Sequence, residues 1–73
     1  MGTKRYSRAH RYGKRRFRYN YESHTLEWID KGNTVMDAIG LSSKHWEESP
    51  KYWIEMYSAQ IDEEISWLMR GLL

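Results

Sequence analysis

The chain has 73 residues, with 12 Lys or Arg, 10 Asp or Glu, a formal net charge of +2 and no Cys. A chain of this length forms one domain at most, and the lack of Cys excludes disulfides and thiolate metal sites. No apolar run approaches the ~18 residues of a membrane span, and none follows the basic N-terminal region as in a signal peptide. We therefore expect an intracellular, cytoplasmic protein that does not associate with membranes.

The charges are strongly segregated along the chain. Residues 1–19 contain eight Lys or Arg and no carboxylate, whereas residues 20–73 contain four cations and ten carboxylates. Dense like charge opposes folding, and few aliphatic side chains are available there to offset it. We therefore expect residues 1–14 to form a flexible basic arm and residues 15–73 to form a single small domain.

Residues 15–21 are predicted to be extended. From Arg16 to Tyr21 aromatic and polar side chains alternate strictly, which is typical of a β-strand with two different faces. Residues 22–33 leave two structures open. Asp30-Lys31-Gly32 can close a hairpin, or Gly32 can end a short helical turn over 25–31; the helical turn is preferred.

Two further elements are predicted before the last helix. Thr34 and Asp37 resemble a capping box, and Val35, Ala38 and Ile39 give a helical face that Gly40 ends, so we expect a helix at 34–40. Ser42 and Ser43 are good N-caps, and they predict a short turn at 43–48.

The strongest prediction is a helix over 50–70. Pro50 suits the first helical position. An apolar stripe then recurs every three or four residues; it consists of Ile54, Tyr57, Ile61, Ile65, Leu68 and Leu72. Together these elements predict a mainly α fold, a small helical body with a basic N-terminal arm. The alternative is an α+β fold with an N-terminal β-hairpin.

The basic region predicts a nucleic-acid-binding protein, with RNA or a ribonucleoprotein favoured over duplex DNA. Lys and Arg neutralise phosphates, and interleaved aromatic rings stack on exposed bases. Arg, which forks onto phosphate oxygens, outnumbers Lys six to two there. The candidate nucleic-acid-binding residues are Arg5, Arg8, Arg11, Tyr12, Lys14, Arg15, Arg16, Phe17, Arg18 and Tyr19.

Two alternatives remain open for the basic region. It can dock on an acidic protein surface, as in an interaction module or inhibitor such as a viral or phage accessory protein that binds a host complex. It can also fold back on the acidic part of its own chain. The helical body is expected to present aromatic side chains to a protein partner or a second copy through the helix at 50–72; these are Trp46, Trp53, Tyr57 and Trp67.

No motif indicates catalysis. His10, His24 and His45 lack metal-ligand spacing, and there is no Gly-rich phosphate loop or nucleophile motif. We expect no metal, no cofactor and no enzymatic activity.

Overall fold

The computed structural model describes residues 5–71. Four strands form one antiparallel sheet in the order β1-β2-β3-β4, and two helices follow. The elements are β1 (His10–Tyr12), β2 (Arg15–Asn20), β3 (Thr25–Ile29), β4 (Val35–Gly40), α1 (Ser43–Glu48) and α2 (Pro50–Gly71).

The prediction of a mainly α protein is wrong. Helix makes up about 42% of the described residues and strand 31%. The predicted helix at 34–40 is strand β4, and the predicted turn at 25–31 is largely strand β3. Apolar runs this short fit both periods, and a two-turn helix is marginal alone. Pairing with the neighbouring strands therefore decides both segments in favour of the sheet.

Three other predicted elements are confirmed. The extended segment at 15–21 is β2, the turn at 43–48 is α1, and the helix at 50–70 is α2. Ser42 caps α1 as expected, since its side chain accepts a hydrogen bond from the His45 amide at 3.2 Å. These elements carried local signals, either strict alternation or a helix start, that do not depend on distant contacts.

The turn between β1 and β2 explains why the N-terminal segment reverses direction. Tyr12 pairs with Arg15 around the two residues Gly13 and Lys14, and Gly13 has a φ of +63°. A two-residue hairpin turn requires such a positive φ, which glycine adopts without strain. Residues 10–12, which the sequence assigned to the arm, are thus hydrogen-bonded to β2 as strand β1. Tyr6, which precedes β1, forms an isolated antiparallel β-bridge with Asn20, at the end of β2 away from the β1–β2 turn.

The β3–β4 turn is the hairpin that the sequence had left open. The Asp30 carboxylate accepts hydrogen bonds from the amides of Gly32 and Thr34, both at 2.9 Å. The residue with positive φ is Asn33, at 64°, rather than the glycine. Asn tolerates this region, and Asp side chains stabilise turns by bonding to nearby amides.

The core lies between one face of the sheet and the two helices. Phe17 and Tyr19 from β2 and Leu26 from β3 have no solvent exposure. The Tyr19 ring stacks on Trp46 of α1 with centroids 5.3 Å apart, and Phe17 meets Tyr57 of α2 at 5.6 Å. The remaining members of this cluster are Leu41, Ile54 and Ile61, and Ile29 is buried outside it. Because side chains alternate along a strand, Arg16 and Arg18 point to the face opposite this cluster. We call it the open face, although Ile29 and Glu27, which pair with Arg16 and Arg18, are buried on it.

His10 extends the core at the edge of the sheet. Its ring meets Trp46 edge-on with centroids 5.4 Å apart. Burial, with a smaller contribution from the Arg8 charge, lowers the pKa of His10 below its usual value of 6.5. The folded protein therefore favours the neutral imidazole.

This lowered pKa predicts a loss of stability in mild acid. As pH falls below about 6.5, the unfolded chain binds the His10 proton before the folded protein does. The contribution of neutral His10 is complete above that pH and is lost as pH falls through the folded-state pKa. We expect His10→Phe to weaken the dependence of the unfolding free energy on pH between 5 and 7.5, measured by urea denaturation. Identical pH profiles for the two proteins would contradict the assignment.

Candidate functional site

Arg15 connects the sheet to α2 rather than facing solvent. Its guanidinium donates to Ser58 Oγ at 2.9 Å and forms an ion pair with Asp62 at 2.8 Å. It also lies over the Trp28 ring, 5.2 Å from the centroid. These contacts fix the side chain, so Arg15 is committed to intramolecular contacts.

Arg18 is also held within the protein, on the open face of the sheet. Its Nε bonds Glu27 on the neighbouring strand at 2.8 Å, and its guanidinium lies 3.8 Å from the Tyr6 ring centroid. Asn20 donates to the second Glu27 oxygen at 3.3 Å. Glu27 is buried, so this cluster accounts for a carboxylate that would otherwise be costly to bury.

Arg5 forms an exposed ion pair with Glu22 at 2.7 Å. The hydrogen bond that Arg5 donates to the Glu22 carboxylate raises the pKa of Arg5 above its usual value. Because both side chains are largely exposed, the pair is open to exchange with other anions.

Phe17 and Tyr19, the aromatic residues expected to stack on bases, lie in the core. Both are fully buried, and Tyr19 donates its hydroxyl hydrogen to the Leu41 carbonyl. Burial raises the pKa of Tyr19. Neither ring presents a face to a ligand. Their alternation predicted a strand with an aromatic side correctly, but the aromatic side faces the helices.

The cations without an ion pair within residues 5–71 include Arg8, Arg11, Lys14 and Arg16, all in or beside the β1–β2 hairpin. Arg11 and Arg16 are direct cross-strand partners, so both lie on the open face. Arg16 also donates to the Asp30 carbonyl at 3.1 Å. Tyr12, in the same hairpin, is 41% exposed.

A groove of about 790 Å³ opens at this end of the sheet. We call it the basic groove. Its lining includes Arg11 and Arg16 from β1 and β2, Lys14 and Lys31 from the two hairpin turns, and Asp30. Its apolar wall includes Tyr12, Trp28, Met36 and Ile65. Lys31 was not among the predicted site residues. The Asp30-Lys31-Gly32 hairpin alternative was the one sequence signal that could have placed it beside the β1–β2 turn.

The aromatic residues predicted to bind a protein partner are divided between core and surface. Trp46 and Tyr57 are buried, and Trp53 packs partly against the same core. Burial, followed by the nearby Asp37 charge, raises the pKa of Tyr57, which therefore remains a neutral phenol. Trp67 is exposed, with Arg70 over its ring at 5.4 Å.

Residues 5–71 contain neither a metal-binding cluster nor a membrane-spanning helix. No group of three or more His, Asp or Glu side chains there is arranged to hold a metal ion. Neither described helix is long and apolar enough to cross a membrane. No family model, curated protein or solved structure matches the chain.

The Arg18–Glu27 contact makes a prediction about stability. Glu27→Ala leaves Arg18 without its carboxylate at a mostly buried position, and we expect a loss of about 3 kcal/mol in unfolding free energy. The double variant Arg18→Met/Glu27→Leu removes both charges while keeping apolar volume, so it should lose much less. Urea denaturation of the two variants and the wild type tests this. If the double variant were as unstable as Glu27→Ala, the unpaired charge would not be the cause.

Proposed function

We propose that this protein is a non-catalytic nucleic-acid-binding protein that holds phosphates at the β1–β2 hairpin, with RNA or a ribonucleoprotein as the favoured partner. The observation that carries the proposal is the direct pairing of Arg11 with Arg16 across two strands. Like charges in this position destabilise a sheet. A bound phosphate between them would remove the repulsion.

The surroundings of this pair support an anionic ligand. Lys14 lies in the tight turn next to both strands, and Lys31 approaches from the β3–β4 turn. Arg5, Arg15 and Arg18 form ion pairs with carboxylates. Within residues 5–71, Arg11 and Arg16 form none. Cations that converge on one groove raise the local concentration of a polyanion and accelerate its association.

The exposed ring of Tyr12 favours single-stranded nucleic acid over a duplex. Bases in loops and single strands can leave the stack and pack on an aromatic side chain, whereas those in a duplex are already paired. Because Phe17 and Tyr19 are buried, Tyr12 is the candidate stacking residue of this hairpin. The proposed site is therefore smaller than the whole N-terminal region, and it consists of Arg11, Tyr12, Lys14, Arg16 and Lys31, which all line the basic groove.

We expect Arg11→Ala/Arg16→Ala to weaken binding to a single-stranded RNA of about 16 nucleotides. Each lost phosphate contact should reduce the slope of log K against log salt by about 0.7, so the pair should flatten it by about 1.4. Fluorescence anisotropy across a salt series starting near 50 mM measures both effects.

The matched control is Lys44→Ala/Lys51→Ala, which removes the same charge from exposed positions on α1 and α2. It should change the slope less than the arginine pair does. Equal effects of both pairs would show attraction to net charge alone, without the proposed site. No measurable RNA or DNA binding at ~50 mM salt would exclude the function and leave an acidic protein partner as the better explanation of the same cations.

A further inference from the structure

The basic groove has an apolar side and a cationic side. Trp28 pairs with Phe17 across β2 and β3, so its side chain lies on the face of the sheet that packs on the helices. Ile65 of α2 lines the groove on the same side. Arg11 and Arg16, which are cross-strand partners, lie on the open face. The groove therefore wraps around the end of the sheet that carries both hairpin turns, with its apolar lining towards α2.

Charge is neutralised on the apolar side of the groove. Arg15, which also lines it, forms an ion pair with Asp62 of α2 at 2.8 Å, and its side chain is only 20% exposed. Asp30 directs one carboxylate oxygen at the amides of its own turn. Within residues 5–71, Arg11 and Arg16 form no ion pair. A ligand in the groove would thus meet unpaired cations on one side and apolar surface on the other.

Phosphates alone do not account for the apolar side. Met36 is 55% exposed and Ile65 43% exposed, and both line the groove. Phosphates bind charged surfaces through charge and counterion release, whereas the faces of unstacked bases pack on aromatic and apolar side chains. The groove volume of about 790 Å³ lies within the roughly 300–1,000 Å³ of sites that enclose small molecules. The groove is therefore large enough for one nucleotide, and a stacked duplex cannot offer it a base.

We propose that the basic groove takes one unstacked nucleotide of a single strand, with the base against Tyr12, Trp28 and Met36 and the neighbouring phosphates on the cations. This inference rests on the proposed function and adds a single nucleotide as the unit that is recognised. The strand order separates the two turns by two strand spacings, or about 10 Å. Lys14 and Lys31, one on each turn, can therefore contact phosphates on either side of the inserted base.

A strand without bases separates base recognition from attraction to phosphate. The full-length protein is titrated into a single-stranded RNA of about 16 nucleotides and into an abasic ribose-phosphate strand of the same length. Fluorescence anisotropy at about 50 mM salt gives both affinities. The abasic strand should bind at least about tenfold more weakly, because it keeps the phosphates and lacks the faces that pack on the apolar wall.

Met36→Ala tests whether the base enters the groove. It should weaken RNA binding at least about threefold through lost apolar contact. It should leave the binding of the abasic strand and the slope of log K against log salt unchanged, since Met36 carries no charge. The matched control is Met56→Ala, because Met56 is similarly exposed, at 51%, and lines a different pocket. It should change either affinity by less than about twofold.

The outcomes separate this inference from the proposed function. Equal affinities for the two strands, or a Met36→Ala effect of the same size on both, would overturn the inference and leave phosphate binding at the hairpin. An equal effect of Met56→Ala on RNA binding would also overturn it. No measurable binding of either strand at ~50 mM salt would overturn the proposed function and the inference together. Circular dichroism should show both variants folded, since neither methionine belongs to the core cluster.

Adenosine 5′-monophosphate distinguishes a nucleotide in a strand from a free nucleotide. It offers the groove a base but only one phosphate, so it should displace the RNA only at about 1 mM or above. Displacement at micromolar concentrations would overturn the strand as the source of the nucleotide.

Discussion

The packing of β2 against the two helices is the constraint on which the rest of the structure depends. Phe17 and Tyr19 project from one side of this central strand into the core, where they meet Tyr57 and Trp46. Large aromatic side chains supply much of the apolar area that a chain this small can bury. A register shift of one residue would expose both rings and bury Arg16 and Arg18 in their place, so the orientation of the whole sheet follows from this strand.

This orientation also divides the cations into two groups. Arg15 and Arg18 have carboxylate partners that the fold brings to them, Asp62 from α2 and Glu27 from β3. Arg11 and Arg16 have each other as cross-strand neighbours. The proposed anion site is thus a product of hairpin register, and it lies where the fold has placed like charges together.

The segregation of positive from negative residues had two consequences that net charge does not show. Some of the N-terminal positive charge is neutralised within the molecule, because three of the arginines form ion pairs with carboxylates later in the chain. This is the intramolecular alternative that the sequence left open, and it holds for Arg5, Arg15 and Arg18. The cations of the β1–β2 hairpin that form no ion pair within residues 5–71 support the proposed binding of phosphates. The two uses of the basic region therefore coexist, residue by residue.

By itself, the sequence determined the elements whose signals are local. The alternation from Arg16 to Tyr21 specified β2, and the proline start and apolar stripe specified α2, because strand and helix periods are properties of consecutive residues. The tertiary structure decided residues 25–40, where short apolar runs fit either period and pairing with β2 selected the sheet. It also decided which site residues are available. Phe17 and Tyr19 are buried, Arg15 and Arg18 have carboxylate partners, and Lys31 lines the same groove as Arg11. All three features depend on contacts between residues distant in the chain, which composition and spacing do not encode.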